Sequence, residues 1–317
     1  MKVLITGVCG MVGSHMADYF RNKRIHVIGT YYKPTINLSE IETTEKYECD
    51  VRYYKPLYEI INRFKPEKIF HLAAQSYPTV SLGKPEETFD INVTGTINIF
   101  EAIQEIRSIN ENYDPVVIVA CSSAEYGTSL TPENVPINES EQLLPLHPYG
   151  VSKVTQDLLT YQYYVNYNLR GIRARIFNTT GPRKVNDVCS DFIRKGVEIE
   201  LGKRDTLTVG NLETRRAITD VRDLVTALDA LADSGDAGEV YNICGDKDYK
   251  ISDLLEMIKS YMKADFKIET DPKLMRTTDE PIIFGDSSKL KAATGWEQKI
   301  PIEQTIADMV EYWRKVL

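Results

Sequence analysis

The stretch KVLITGVCGMVG, residues 2–13, decides the fold class. Its apolar first half is typical of a buried strand, and the residues from Met11 to Phe20 have the apolar spacing of a helix. Glycines between a strand and a helix let a phosphate approach the backbone, and the N–H groups at the helix N-terminus bind it. A tight turn that binds nothing is the alternative, but the position between a strand and a helix favours a dinucleotide site. The residues of this site would be Gly7, Gly10, Met11, Val12 and Gly13.

The same alternation of apolar runs and amphipathic segments continues outward to Asn178. It predicts an α/β fold, a Rossmann doubly wound parallel sheet covered by helices on both faces. Beyond that point the alternation weakens, and loops rich in Gly, Pro and charge are predicted from Thr179 to Arg222. We therefore predict a Rossmann domain at residues 1–178 and a smaller C-terminal α/β lobe that takes up most of residues 179–317, with an interleaved boundary.

Composition excludes several classes of protein. The 317 residues carry a net charge of −8, which argues against binding to nucleic acid or to an anionic membrane. There is no apolar stretch long enough to span a bilayer and no signal peptide before the first strand. The five cysteines form no CxxC pair and the four histidines are scattered, so neither a metal site nor a disulfide framework is expected. A reducing compartment, the cytoplasm, fits this pattern.

The end of the second predicted strand bears on the choice of cofactor. The residues there are Gly29-Thr30-Tyr31-Tyr32-Lys33, without the acid that would contact an NAD ribose. Lys33 can instead meet the 2′-phosphate of NADP, which favours NADP over NAD, although it can also be a solvated loop charge. Asp50, after the next short strand, is a candidate partner for the adenine amino group or a cap for the following helix.

A tyrosine and a lysine four residues apart supply chemistry for proton transfer. Tyr149 and Lys153 follow Pro148 at a predicted helix start, so both side chains lie on one face. A free tyrosine titrates near pH ~10, and a nearby ammonium favours the phenolate and brings the pair toward working range. This arrangement is suited to oxidising an alcohol or reducing a ketone beside a nicotinamide, and Lys153 can also contact the nicotinamide ribose.

Two serines end a predicted strand, in the sequence VACSSAEYG at residues 119–127. Either Ser122 or Ser123 can donate a hydrogen bond to a substrate oxygen opposite Tyr149. The alternative is that both hydroxyls only satisfy backbone groups at the end of the strand.

Together these motifs resemble the extended short-chain dehydrogenase/reductase family, in which the chain is closest to GDP-4-keto-6-deoxymannose reductases and GDP-mannose 4,6-dehydratases. The resemblance covers essentially the whole chain. The segments that carry it are TGVCGMVG (6–13), HLAAQS (71–76), NVTGT (92–96), CSSAEYG (121–127), YGVSK (149–153), FNTTGPR (177–183), VGNLETRRAITDVRD (209–223) and LMRTTDEPIIFGDSSKL (274–290).

The resemblance implies an enzyme that binds NADP or NAD and a nucleotide-diphosphate sugar, linked to GDP. It adds Tyr31, Val51, Leu72, Ala73 and Ala74 to the cofactor site. Arg216 and Arg276 would contact the diphosphate and Asp279 the nucleotide ribose or base, unless these charges are ordinary surface ion pairs. The other implied substrate residues are Gln75, Ser81, Ser123, Asn178, Arg183 and Asn211.

The resemblance also implies a homodimer. Its contacts would be made by the long helix after Tyr149 and by a neighbouring helix from about Thr94 to Ile106, whose apolar faces are compatible with that role.

Three reactions share hydride transfer at the sugar C4, and one position separates them. In the family, a dehydratase carries an additional acid/base glutamate two residues before the tyrosine of the YG pair; here that position is Ala124. Glu125 is one residue later and would face away if the strand continued, but a bulge would return it to the cleft as a catalytic residue. We therefore expect a reductase, with a dehydratase as the alternative and a C4 epimerase third. A redox sensor or binding module is disfavoured, because it needs no proton-transfer residues.

Overall fold

The computed structural model describes residues 1–43, 45–275 and 279–317. Its strands within these residues are β1 (Lys2–Thr6), β2 (His26–Tyr31), β3 (Glu45–Glu48), β4 (Lys68–His71), β5 (Val116–Ser122), β6 (Gly171–Ile176), β7 (Thr179–Thr180), β8 (Thr206–Val209), β9 (Arg215–Ala217), β10 (Thr219–Asp220), β11 (Val240–Ile243), β12 (Asp248–Lys250), β13 (Lys267–Thr270) and β14 (Ile282–Ile283). Its α-helices are α1 (Met11–Asn22), α2 (Tyr54–Phe64), α3 (Pro78–Gly83), α4 (Pro85–Phe89), α5 (Gly95–Ile109), α6 (Pro148–Tyr167), α7 (Val188–Glu200), α8 (Val221–Ser234), α9 (Ile251–Ser260), α10 (Ser288–Thr294) and α11 (Ile302–Val316).

A parallel sheet organises the larger part of the molecule. In the described residues it has seven strands in the order β11-β6-β5-β4-β1-β2-β3, and every adjacent pair is parallel. From β1 the chain order runs through β2 and β3 on one side and through β4, β5 and β6 on the other. The helices that connect the strands therefore lie on both faces of the sheet. This confirms the predicted Rossmann doubly wound α/β fold.

Both faces of the sheet are buried, and β1 shows how the sequence achieves this. Val3 and Ile5 pack into the core beneath α1 and α8, whereas Leu4 points to the opposite core beneath α2 and α5. All three side chains are fully buried. Because alternate residues of a strand face opposite sides, a strand covered on both faces needs a continuous apolar run.

The smaller lobe has a core of its own, built from α7, α9 and α11. Helix α7 falls in the segment predicted to be dominated by loops, so that part of the prediction is wrong. The start signal is present: Asp187 and Ser190 form reciprocal capping hydrogen bonds. Gly196 interrupts the helix pattern, but a Cβ there would come 2.8 Å from the sulfur of Met262, so glycine is the residue that lets α7 pack closely.

The two parts of the chain are interleaved. Strand β11 pairs with β6 in the main sheet, and α8 packs against the same core as α1, although both come from the second half of the sequence. The boundary at residue 178 stays a prediction. Among the described residues, no helix combines the length and the apolar character needed to cross a bilayer.

Candidate active site

The glycine turn after β1 has a geometry that side chains would not permit. Gly7 has φ +73°, and a Cβ there would lie 2.9 Å from the backbone of Ala73. A Cβ on Gly13 would lie 2.3 Å from the carbonyl oxygen of Gly7. Helix α1 begins at Met11, directly after Gly10, which provides no side-chain cap. The N-terminus of α1 is thus presented by bare backbone, which fits a dinucleotide pyrophosphate.

The ends of β1 and β4 are tied together beside this turn. The hydroxyl of Thr6 accepts hydrogen bonds from the backbone N–H groups of Leu72 and Ala73, each at 3.2 Å. Leu72, Ala73 and Ala74 are half-buried, so they line the same edge of the sheet. Val51 is buried behind that edge, against Gly95 at the start of α5. These positions are compatible with the predicted cofactor contacts.

Positive charge gathers at the end of β2. Lys33 has a side chain that is 69% exposed, and its Nζ lies 3.9 Å from Glu87. Tyr31 ends β2 and is half-buried. The ring of Tyr32 is near two cations, with the Nζ of Lys33 5.2 Å and the guanidinium carbon of Arg52 6.0 Å from its centroid. Both cations already have carboxylate partners: Glu87 for Lys33, and Asp50 and Asp90 for Arg52.

Asp50 forms an ion pair with Arg52. Its carboxylate accepts hydrogen bonds from the backbone N–H and the guanidinium of Arg52, at distances down to 2.6 Å. Burial raises the pKa of Asp50, but the hydrogen bonds from Arg52 outweigh it, so the pKa lies below its ordinary value. The residue before α2 is Tyr53, so the alternative prediction that Asp50 caps this helix is wrong. A contact with adenine stays a prediction.

The end of β5 and the first turns of α6 bring three predicted catalytic side chains together. The side chains of Tyr149 and Ser122 interact, and they are 9% and 8% exposed. The Nζ of Lys153 lies 5.7 Å from the ring centroid of Tyr149 and donates a hydrogen bond to the carbonyl of Ala120 at 2.7 Å. A proton can pass between Tyr149 and an oxygen held by Ser122, which is the chemistry of a carbonyl reduction.

Burial dominates the electrostatics of this group. It raises the pKa of Tyr149 to about 12; the hydrogen bond with Ser122 opposes the rise, and the charge of Glu125 adds to it. Burial also lowers the pKa of Lys153 to about 8, and the charges of Cys121 and Glu125 oppose that change. The predicted lowering of the Tyr149 pKa by Lys153 is not seen in this structure, because burial of the phenolate dominates.

Glu125 does not face the cleft. Strand β5 ends at Ser122, and residues Ser123–Glu125 form a 3₁₀ turn in place of the continuing strand used for the prediction. The Glu125 side chain is fully buried; its Oε1 accepts a hydrogen bond from the N–H of Ser122 at 2.7 Å, and its Oε2 lies 3.2 Å from Nε of Arg175. The prediction that Glu125 could be a catalytic residue in the cleft is therefore wrong, because the turn directs its carboxyl into the protein interior.

Several predicted substrate residues lie near the turn after β4 and at the end of β5. Gln75 is half-buried, and its side chain bridges the backbone of Tyr77. Ser81 has no exposed surface and donates its hydroxyl to the carbonyl of Pro78 at 2.6 Å, so the structure contradicts the prediction that it contacts substrate. Ser123 is 7% exposed.

The remaining predicted substrate residues belong to the loops of the smaller lobe. Arg216 is 8% exposed and pairs with Asp279, with Nη2 2.9 Å from Oδ1. Arg183 pairs with Asp18 on α1 at 2.7 Å. Asn178 is exposed and Asn211 half-buried, and Arg276 lies outside the described residues. The structure brings Arg216 and Asp279 together, whereas Arg183 contacts α1 of the predicted dinucleotide domain.

Sequence reasoning missed Arg175 and Asp157, which lie directly behind the catalytic side chains. Nε of Arg175 donates to Asp157 at 2.9 Å, and both side chains are almost fully buried. Asp157 follows Lys153 by four residues on α6, so its spacing was a usable signal. No local signal distinguished Arg175 from Arg173, the other arginine of β6.

The fold, the glycine turn and the Ser–Tyr–Lys group define an NAD(P)-dependent enzyme of the extended short-chain dehydrogenase/reductase type. The chain belongs to the GDP-mannose 4,6 dehydratase family, whose model matches residues 4–309. It is 27% identical to the GDP-6-deoxy-D-mannose reductase of Pseudomonas aeruginosa over 98% of this chain and 97% of that one. It is 24% identical to the GDP-mannose 4,6-dehydratase of Yersinia enterocolitica over 98% and 92%.

Solved structures with the same fold include two with bound ligands. RMD from Pseudomonas aeruginosa, complexed with NADPH, has a TM-score of 0.84 and 26% identity, covering 100% of this chain and 99% of that one. A UDP-glucose 4-epimerase from Thermotoga maritima, with UDP-glucose, has a TM-score of 0.89 and 25% identity over the same shares.

The glycine turn yields a prediction about stability and cofactor binding. Gly13→Ala should lower the free energy of unfolding by about 1–3 kcal/mol and weaken NADPH binding, because its Cβ overlaps the Gly7 carbonyl. Chemical denaturation and fluorescence titration with NADPH measure the two effects. Gly10→Ala is the matched control: its Cβ would meet no atom closer than 3.4 Å, so its stability should stay within about 1 kcal/mol of wild type. Equal losses of stability would contradict the steric argument.

Proposed function

We propose that this enzyme is an NADP-dependent reductase of a GDP-linked 4-keto-6-deoxyhexose, of the GDP-4-keto-6-deoxymannose type. The observation that carries the proposal is the turn at Ser123–Glu125. It leaves Ala124 at the position of the dehydratase base and buries the carboxyl of Glu125 against Arg175. A ketone reduction needs one proton donor and a hydride source, whereas a dehydration also needs a base at the sugar C5 and an acid at C6.

Each catalytic side chain has a role in that reduction. A dihydronicotinamide beside Tyr149 would supply the hydride for the sugar C4. Tyr149 would donate a proton to the C4 oxygen, and its raised pKa keeps it protonated across the neutral range. Ser122, which interacts with Tyr149, would align the oxygen. Lys153 would contribute positive charge beside the tyrosine and contact the nicotinamide ribose.

The nucleotide sugar would enter between the sheet edge and the loops of the smaller lobe. Arg216 and Arg276 would bind its diphosphate, since forked guanidinium groups suit phosphate oxygens. Asp279, held at 2.9 Å from Arg216, would contact the ribose or the base. Asn178 would reach the sugar from the exposed end of β6.

A second candidate, GDP-mannose 4,6-dehydratase, is supported by the family description and by the Yersinia relative. It would require a base in the cleft other than Glu125. A C4 epimerase is the third candidate, supported by the likeness to the Thermotoga epimerase.

The reaction can be tested directly by product analysis. With GDP-4-keto-6-deoxymannose the enzyme should oxidise NADPH and form a GDP-6-deoxyhexose, and GDP-mannose alone should not lose water. Absorbance of NADPH and mass spectrometry of the nucleotide sugar check both expectations. Water loss from GDP-mannose would identify the dehydratase instead.

Tyr149→Phe is the control for the reductase assay. Removing the proton donor should reduce kcat about 10²–10⁴-fold and leave NADPH affinity near wild type. Wild-type turnover in this variant would contradict the role of Tyr149.

The exposed side chain of Lys33 and the lack of an acid at the end of β2 support NADP over NAD. Lys33→Gln should weaken NADPH binding about five- to tenfold, because an exposed lysine–phosphate contact contributes about 1 kcal/mol, and should leave NADH binding unchanged. Isothermal titration with both cofactors measures the difference. Lys55→Gln, at an exposed lysine in the first turn of α2, is the matched control. An equal effect of Lys33→Gln on both cofactors would contradict a 2′-phosphate contact.

We also propose that the chain forms a homodimer in the cytoplasm. Helix α6 carries large apolar side chains that the monomer leaves in solvent, at 41–57% exposure: Val151, Leu158, Tyr161, Val165 and Tyr167. A second copy packed on α5 and α6 would bury them. All five cysteines are free and buried, which suits a reducing compartment.

The dimer proposal predicts a change of mass in solution. Leu158→Asp should convert the dimer to a monomer, because a carboxylate would be desolvated in the interface. Light scattering after size exclusion measures the mass. Leu201→Asp, at a leucine that is 51% exposed after α7, should leave the dimer intact. Dimers in both variants would place the interface elsewhere.

A further inference from the structure

A buried group of charges lies behind the catalytic side chains, and the proposed reaction does not account for it. We call it the Glu125 cluster: Cys121, Glu125, Asp157 and Arg175. Ligand atoms of Cys121, Glu125 and Asp157 lie within 4.8 Å of one another, a spacing that can suit a metal ion. The guanidinium of Arg175 already lies 3.2 Å from Glu125 and 2.9 Å from Asp157, so the cation of this cluster is an arginine.

The cluster connects the three elements that form the catalytic group. Glu125 binds the N–H of Ser122 at the end of β5. Arg175 extends from β6, and Asp157 from the face of α6 that also carries Lys153, one helical turn earlier. The relative positions of Ser122 and α6 are therefore coupled through Glu125 and Arg175.

One carboxylate of the cluster has an incomplete set of partners. Oε2 of Glu125 is buried and makes no hydrogen bond of good geometry, although it lies near Arg175. Asp157 is better satisfied, since it accepts hydrogen bonds from both Arg173 and Arg175. Of the two carboxyl groups, Glu125 is thus the one that the neighbouring arginines compensate less completely.

We propose that Glu125 is a positioning residue for the reaction: it fixes the backbone of Ser122 and, when ionised at alkaline pH, places a buried negative charge behind Tyr149 and Lys153. This inference rests on the proposed Tyr149 chemistry, but it does not depend on which nucleotide sugar is reduced. It assigns Glu125 a role from behind the site in place of contact with substrate.

The direction of the electrostatic effect follows from the groups around Glu125. These are Cys121 on β5, Arg175 on β6, Tyr126 beside it, and Tyr149, Lys153 and Asp157 on α6. Burial and then the charge of Asp157 raise the pKa of Glu125 to about 8, although Arg175, the N–H of Ser122 and Lys153 lower it. Glu125 is therefore largely protonated at neutral pH and becomes ionised on the alkaline side, where Tyr149 and Lys153 titrate. When ionised, Glu125 raises the pKa values of both Tyr149 and Lys153.

The pH dependence can be given a sign. Tyr149 must be protonated to donate its proton, and Lys153 must be charged, so activity is lost as pH rises through their pKa values. Glu125 raises both values and therefore extends activity to higher pH. Without its charge, the alkaline limb of the pH profile should move to lower pH by about one unit, the usual scale for a neighbouring charge.

The experiment compares pH profiles of kcat/KM for reduction of the 4-keto sugar in wild type and Glu125→Gln. The amide keeps an acceptor for the N–H of Ser122 but removes the charge, so the alkaline limb should move to lower pH. Glu125→Met provides a second variant for the case that the amide does not fold, with the same expected shift and an added loss of kcat. Thermal unfolding monitors folding of each variant.

Asp157→Asn is the matched control, because it removes a carboxylate from the other side of Arg175. Asp157 raises the pKa of Glu125, so its removal favours ionised Glu125 and should leave the limb in place or move it to higher pH. Equal downward shifts in both variants, or no shift in Glu125→Gln, would overturn the inference.

A readout without turnover separates this inference from the proposed function. The phenolate absorbance of Tyr149 can be titrated as the difference between each protein and its Tyr149→Phe counterpart. If wild type does not reduce the 4-keto sugar, the proposed function fails, and a lower Tyr149 titration midpoint in Glu125→Gln would still support the inference. An unchanged midpoint would overturn it.

Discussion

The parallel direction of the central strands is the constraint on which the candidate site depends. Strands β1, β4, β5 and β6 all end at the same edge of the sheet. Residues far apart in sequence, such as Gly7, Ala73 and Ser122, are therefore brought to one edge. In open α/β sheets this edge is where ligands bind, because the loops and helix N-termini that follow the strands converge there.

The sequence predicts the elements that repeat a strong pattern. The main sheet and its helices, including the long helix at Pro148–Tyr167, agree with the predicted segments. Local patterns serve well here because both faces of the sheet are covered, so central strands such as β1 and β5 are largely apolar runs. Helix α7 was missed because Gly196 and its charged neighbours resemble a loop, and only the contact with Met262 explains the glycine.

The sequence predicts which side chains form the candidate site, but it does not predict their pKa values. Tyr149, Lys153 and Ser122 are close together, as their motifs predict. The pKa of Tyr149 nevertheless lies above its free value, since burial is a property of the packed structure that spacing does not report. Similarly, the pairing of Asp50 with Arg52 depends on a turn geometry that no pattern specified.

The 3₁₀ turn after β5 shows how one backbone change decides chemistry. A continuing strand and a bulged strand give opposite orientations for Glu125, and neither occurs. In this turn the carboxyl of Glu125 accepts a hydrogen bond from the N–H of Ser122, and the guanidinium of Arg175 lies beside the same buried carboxyl. Burying an ion pair costs desolvation energy that its attraction only partly returns, so such a pair is weak evidence for stability. The Glu125–Arg175 pair lies behind Tyr149 and Lys153, so its effect on the pKa values of these two residues explains it better than stability does.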